Sequence, residues 1–419
     1  MLLIYLIFSL VGINLLGVDP ADILLIFIVP IILLKDPTNI FLIKLSMIPR
    51  ILLFTFMSFF IISIYNGYEF RFVAAASINL LLFFLIYFTT LYSDKNTKIG
   101  YAICVPFIVI NVLFFVIGTL NLDIGSSIFQ IFRDGRYLGS MGDPNFTGFL
   151  AVLCALYFLD KLIYAEKSTL NIVLLILSIS ILLLSESRAA WAAALIGLIV
   201  YFPLMRGRQH LLVLPVVFIF LLVSLALSFG DAIGAGQFGN VAGRATTIFV
   251  QADTAEAERF AFVYTRASLL VGLDHPLGVG PGKTVSYTGL VNADGDPIGA
   301  HNAFVQILAE NGWGALLCLL AVLCAAVAKL WRRAVAGWML NDISCRVILS
   351  MVAAQVIFAM AHDMIAWRVA WVIPSLAICA AFASEMSSTG RMRKARRSFF
   401  PAASVPGLGG LPWHRSIYD

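Results

Sequence analysis

Charge is what this sequence has least of. Only 12% of its 419 residues are Asp, Glu, Lys or Arg, against 61% hydrophobic residues, and the mean hydropathy is +0.96. A soluble domain carries about a quarter charged residues, and a chain this apolar cannot cover its surface with polar groups, so lipid must be part of its solvent. Cysteine is scarce as well. Cys104, Cys154, Cys318, Cys324, Cys345 and Cys379 lie in or beside apolar runs, without metal-ligand spacing and outside the long polar loop, which argues against a disulfide framework and makes them small core residues. A nucleotide-binding loop is missing. Gly278-Val279-Gly280-Pro281-Gly282-Lys283-Thr284 resembles one, but the motif needs four residues between its first glycine and the Gly-Lys pair, and Leu277 stands there. Asp294-Gly295-Asp296 resembles a metal-binding pair, yet Asp-Gly-Asp-Pro is ordinary turn chemistry. No metal and no other cofactor is expected.

What the sequence does have is apolar runs long enough to span a bilayer. They fall near residues 2–17, 21–34, 48–65, 72–92, 99–120, 146–164, 170–184, 188–203, 211–229, 301–329, 344–362 and 367–385. The first lacks the basic start and cleavage site of a signal peptide, and a second run follows at once. The expected fold is all-α: a polytopic membrane protein of about twelve transmembrane helices, with one large, partly helical outer loop.

Lys and Arg in the short connections set the orientation. With a cytoplasmic N-terminus, the inner connections hold Lys35, Lys44, Arg50, Lys95, Lys98, Lys161, Lys167, Arg206, Arg208, Arg332 and Arg333. The short outer ones hold only Arg71, Arg133, Arg136, Arg188 and Arg368. The expected organisation is a membrane domain over 1–229 with an outer loop at 121–145, a large periplasmic loop over 230–300, a second membrane part over 301–385, and a basic, disordered cytoplasmic tail over 386–419. The net charge of +5 follows from this topology, with membrane lipids as partners of the basic patches. It requires no nucleic acid. Within the large loop, Thr254 can cap a helix with Glu256 and Glu258 in its first turn, and Gly272 can end it.

The candidate chemistry gathers on the outer side. Arg188 opens one span, Arg368 lies near another, and the large loop adds Arg244, Arg259 and Arg266. Arg259 and Arg266 stand seven residues apart, on one face of a helix. Guanidinium groups fork onto phosphate oxygens and would suit a pyrophosphate headgroup. Each could equally bind a lipid phosphate or pair with a carboxylate. His301 begins the run after the loop, where the positive end of a helix dipole keeps imidazole neutral and able to act as a general base. Position alone is as compatible with a cap. His275, in Asp274-His275-Pro276, fits a turn. Glu310 lies inside the same run as His301 and must be paired, protonated or facing a cavity, with an Arg from another helix as one possible partner. Asp363, beside His362 at the outer end of a span, is a weaker candidate of the same kind.

Three separated motifs resemble one family. Arg136 with Gly139 and Asp143-Pro144-Asn145-Phe146 is similar to its first outer-loop motif, and Ser187-Arg188-Ala189-Ala190-Trp191 to its Ser-Arg start of a span. Arg259, Asp274-His275-Pro276-Leu277-Gly278-Val279-Gly280, His301-Asn302 and Glu310-Asn311-Gly312-Trp313-Gly314 look like the signature region of the O-antigen ligase/polymerase superfamily. The motifs cover residues 136–314 in the family's order, and only their combination is specific.

The resemblance implies a GT-C-like, metal-independent, inverting glycosyltransferase of the bacterial inner membrane. Its donor would be a glycan on undecaprenyl diphosphate, and its acceptor lipid A–core (ligase) or a growing glycan (polymerase), both at the periplasmic face. By motif position, Arg188 and Arg259 would bind the diphosphate and His301 would be the base. Arg136, Asn145, Arg266, Asn302 and Glu310 would bind substrate. A transporter or flippase for a lipid-linked glycan is the alternative from another class. It would place its charges near the midplane rather than on one face.

Overall fold

The computed structural model describes residues 98–120, 131–133, 136–164, 168–205, 255–290, 300–362 and 369–382, with a few positions between 58 and 73. Nine α-helices lie among the described residues. They are α1 (Ile99–Thr119), α2 (Pro144–Tyr164), α3 (Thr169–Leu184), α4 (Arg188–Tyr201), α5 (Ala255–Asp274), α6 (Thr284–Thr288), α7 (Ala303–Ala336), α8 (Cys345–Ala361) and α9 (Val369–Phe382). Seven of the expected apolar runs are therefore helices. The runs before residue 98 and at 211–229, most of loop 230–300, and the tail lie outside the described residues, apart from the scattered positions near 58–73. α1, α2 and α7 are long and apolar enough to cross a membrane; α3, α4 and α8 are shorter apolar helices. The chain is a membrane protein. The all-α expectation meets two minimal antiparallel hairpins, β1 (Phe132–Arg133) with β2 (Arg136–Tyr137) and β3 (Met339–Leu340) with β4 (Ile343–Ser344). Strands of two residues are too short to carry an alternating pattern in sequence.

Lipid offers no hydrophobic drive for helices to meet, so close approach of small residues has to supply it. α4 presents Ala190, Ala193, Ala194 and Gly197 as its buried face. A Cβ on Gly197 would stand 3.4 Å from Ala354 Cβ and from the Ser350 carbonyl oxygen of α8. α2 is buried through most of its length and packs on α1, α3, α4 and α8. Short polar side chains start the helices. Ser168, Ser187, Asn302 and Ser344 each accept hydrogen bonds from first-turn N–H groups of α3, α4, α7 and α8. Asp143 does the same for α2 ahead of Pro144, which suits a first helical position. Each such cap contributes about 1 kcal/mol.

The structure corrects several local expectations. Gly272 does not end α5, which runs on to Asp274. Its missing side chain instead admits α7, because a Cβ there would lie 2.7 Å from Leu308 Cγ and 3.1 Å from Ala309 N. α7 extends past residue 329, where the expected run ends, and it is not continuous. It passes through Arg332 and Arg333 to Gly337, and it breaks at Gly312 (φ 83°, ψ 175°). Arg332 and Arg333 therefore sit in helix rather than in a connection. Lys161 is also helical, and buried. Four cysteines are buried as expected, but Cys318 is half-buried and Cys324 exposed on α7.

Polar residues at the helix ends collect at two poles. One pole holds a buried knot. Asp342 accepts from Gly100 N–H (3.0 Å) and the Tyr157 hydroxyl and faces Lys161 Nζ at 3.8 Å. Asp160 accepts from the Tyr201 hydroxyl (2.7 Å) and Ser344 Oγ (2.9 Å). Arg346 lies 3.6 Å over the Tyr164 ring. Buried charges persist only with such partners. The opposite pole carries the residues singled out from the sequence.

Candidate active site at one pole of the bundle

The site is built from helix ends. The β1–β2 hairpin leads into a tight 3-10 turn at Gly139–Met141. Asn111 of α1 anchors that turn, donating to Ser140 Oγ (3.1 Å) and accepting from Ser140 N–H (3.1 Å). The Tyr137 hydroxyl donates to the Asn111 carbonyl, and Thr147 Oγ1 to that of Leu138. This framework presents Arg136. Its Nη2 donates to Asn145 Oδ1 at 3.1 Å, and its Nε to the Ser185 carbonyl at 3.3 Å. Asn145 Oδ1 also accepts from Ser187 Oγ at 2.9 Å. Ser187 caps α4, whose first residue is the half-buried Arg188. The first two sequence motifs therefore form one hydrogen-bonded unit with two guanidinium groups.

The third motif folds around the break in α7. The loop after α5 runs along the interrupted helix, where Val279 N–H and Gly280 N–H donate to the carbonyls of Ala309 and Glu310, both at 2.9 Å. Trp313 N–H in turn donates to the Pro276 carbonyl at 3.0 Å. Groups that a helix break would leave unpaired are thus satisfied by the loop. Two glycines make this possible. Gly278 (φ 79°) and Gly312 (φ 83°) are left-handed, and a Cβ on either would lie 2.3 Å from a facing carbonyl oxygen, of Glu310 and Pro276 respectively. His275 lies in the turn as expected, its carbonyl accepting from Gly278 N–H.

Glu310 is buried at 4% exposure and accepts from Gln306 Nε2 at 3.2 Å. The donor is a side chain one turn earlier on its own helix. From His301 it lies nine residues along the helix, about 13 Å at 1.5 Å per residue. Arg259 and Arg266 both fall in α5, as the seven-residue spacing expects. The Arg259 side chain is outside the described residues. Arg266 is exposed, while Tyr264, two residues earlier, is buried against His301 with ring centroids 6.3 Å apart. Two residues turn a helix by about 200°, so Arg266 and Tyr264 face different ways.

His301 precedes the cap of α7 in a left-handed conformation (φ 45°), uncommon for a residue with a side chain. Thr265 Oγ1 holds the preceding Ala300 carbonyl at 2.6 Å. Asn302 uses its side-chain oxygen on Phe304 N–H and Val305 N–H and donates through Nδ2 to the Met360 carbonyl at 3.1 Å. It acts by position, tying the start of α7 to the end of α8. Although His301 stays exposed at its edge, desolvation by the surrounding protein lowers its pKa below the ordinary 6.5. The sequence reading expected a neutral ring from the helix dipole, but desolvation is the cause here.

Sequence reasoning passed over His362, naming it only as the neighbour of Asp363. Asp363 and Arg368 lie outside the described residues. His362 ends α8, with its ring 4.7 Å from Phe358 and 6.1 Å from Phe146. Desolvation, then the charges of His301 and Arg136, push its pKa down to about 4. A second histidine at the same pole as His301, closing an apolar run, was the available signal. Among the described residues no group of His, Cys, Asp and Glu could hold a metal ion; Asp294 and Asp296 are outside them.

Such an arrangement can bind a doubly charged phosphate group through forked guanidinium contacts and take up a proton on a neutral imidazole. No curated protein matches the chain. A family model described as O-antigen ligase matches residues 173–320, from within α3 to beyond the break in α7. The matched stretch, about a third of the chain, contains Arg188, Arg259, the glycine-rich loop, His301 and Glu310, and over that stretch the chain is similar to the O-antigen ligase family.

Proposed function

We propose that the protein transfers a glycan from undecaprenyl diphosphate to an acceptor hydroxyl at the periplasmic face of the inner membrane, with both termini cytoplasmic. The observation that carries this reading is the Arg136–Asn145–Ser187 network beside Arg188, at the pole that also bears His301. His301 removes the acceptor proton as the acceptor oxygen attacks the anomeric carbon from the face opposite the diphosphate, which inverts that centre. The carbon–oxygen bond to the diphosphate breaks, and its electron pair leaves with the phosphate. Arg188 and Arg259 offset the charge that develops there, a contribution worth about 10²–10³ in rate for one well-placed donor. Arg136, held by Asn145, adds a third cation. Asn302 and Glu310 shape the site from within α7, and Arg266 meets substrate at its rim. The donor is already activated, so neither a metal nor a nucleotide sugar is needed. Lipid A–core makes the reaction a ligation; a growing glycan makes it a polymerisation.

The test is transfer by the purified protein in detergent, supplied with diphosphate-linked glycan and acceptor. Product is expected for the wild type, without inhibition by EDTA, and Arg259→Ala should lose it at normal expression. Lipid movement across vesicles without any transfer would overturn the reading in favour of a transporter.

A further inference from the structure

His301 and His362 both stand at the pole of the site, and the proposed transfer uses His301 alone. His362 lies beyond the stretch matched by the family model. Its backbone is extended (φ −141°, ψ 148°), so the chain leaves α8 at this residue and the ring turns back over the helix end. One side of the ring rests on a fixed aromatic base. Phe358 lies 4.7 Å away and is itself stacked on Phe149 at 4.4 Å and 12°, and both phenylalanines are 0% exposed. Phe146, adjacent in sequence to the Arg136 partner Asn145, closes the side at 6.1 Å. The imidazole itself is half-buried, so part of it stays open. Both His301 and Arg136 act on it electrostatically, which sets it among the groups of the site. The Asn302–Met360 bond fixes its backbone relative to His301.

We propose that His362 is a substrate-positioning residue: its open edge hydrogen-bonds a hydroxyl of the acceptor sugar and holds the reacting hydroxyl toward His301. This rests on the transferase reading above. The ring is well placed for such a task and poorly placed for a base. A rigid, desolvated imidazole offers one donor and one acceptor at little entropic cost. Next to Arg136 it gains nothing from becoming a cation. Neither hydrogen-bonding role requires it to change charge.

The test uses the full-length protein in detergent with diphosphate-linked donor and a titrated acceptor. His362→Ala should raise the acceptor KM about tenfold, the loss expected for one hydrogen bond, with kcat and the donor KM nearly unchanged. His362→Phe keeps the aromatic stack without the hydrogen bond and should show the same KM defect at wild-type Tm. His362→Gln, which restores a donor and an acceptor, should recover most of the acceptor affinity. Wild-type KM in the Phe variant, a Gln variant as poor as Ala, or a loss confined to kcat would each overturn the proposal. A wild-type protein without transfer would overturn the transferase reading instead, so the two failures are distinguishable.

Discussion

The side chain of Asn302 donates from Nδ2 to the carbonyl of Met360 at 3.1 Å while its oxygen caps α7. One amide therefore fixes where two helices end relative to each other, and with them His301 and His362. Replacing Asn302 by Ala removes a cap and a tether together. About 1–2 kcal/mol of stability should go with the cap, and transfer should fall further than that loss of folded protein explains. Activity per folded molecule, measured beside the melting curve, checks this.

Arg136 and Asn145 form a pair, so their substitutions should not add. Asn145→Ala removes one hydrogen-bond acceptor of Arg136 and should lower transfer by roughly ten- to a hundredfold. The double variant with Arg136→Ala should be no worse than Arg136→Ala alone. Multiplicative effects in the double-mutant cycle would mean that the two act independently.

Gly278 and Gly312 face carbonyl oxygens from opposite sides of one junction. Gly312→Ala adds both a left-handed backbone penalty and a clash with the Pro276 oxygen. A cost of roughly 2–4 kcal/mol is expected, seen as a lower Tm in detergent. Because the junction braces α5 against α7, activity should fall as well.

Below neutral pH both histidines should matter. His301 has its pKa below 6.5 and His362 is pushed down to about 4. A base works when neutral, so the acid limb of kcat/KM should lie below pH 6.5 rather than at it. The sign for stability follows from proton binding: the unfolded chain takes up protons near 6.5, while the fold resists until lower pH. Stability is therefore complete above about pH 6.5 and is lost as pH falls toward 4, by roughly 2–3 kcal/mol from His362. Tm against pH checks it, and His362→Gln should flatten the slope.

At the other pole, Asp342→Ala would leave Lys161 buried without its carboxylate. That should cost roughly 3–5 kcal/mol, read as poor recovery of folded protein. Replacing Lys161 and Asp342 together by apolar residues should recover part of it.

Much of this was legible because it is local. The apolar runs were read as helices and are helices in the described residues, and Asp143 and Ser187 cap α2 and α4 within a few residues of their own position. Gly272 was misread because a glycine near a helix end looks like a stop, whereas here it admits a neighbouring helix. Glu310 was expected to be paired, protonated or facing a cavity, and Gln306 of its own helix donates to it. His362 was overlooked because its one signal, a histidine closing an apolar run, is weak without the contacts to Phe358 and Phe146 that only the fold supplies.

The sequence by itself determined that lipid is the solvent, that the described spans are helical, and which residue types stand at their ends. Composition and short-range hydrogen bonding suffice for that. Only the tertiary structure decided which ends meet. Arg136 reaches Ser185 across 49 residues and Asn302 reaches Met360 across 58. Such pairings depend on how small residues let α4 approach α8 and how a broken α7 receives the loop after α5, and packing between distant segments leaves no local pattern to read.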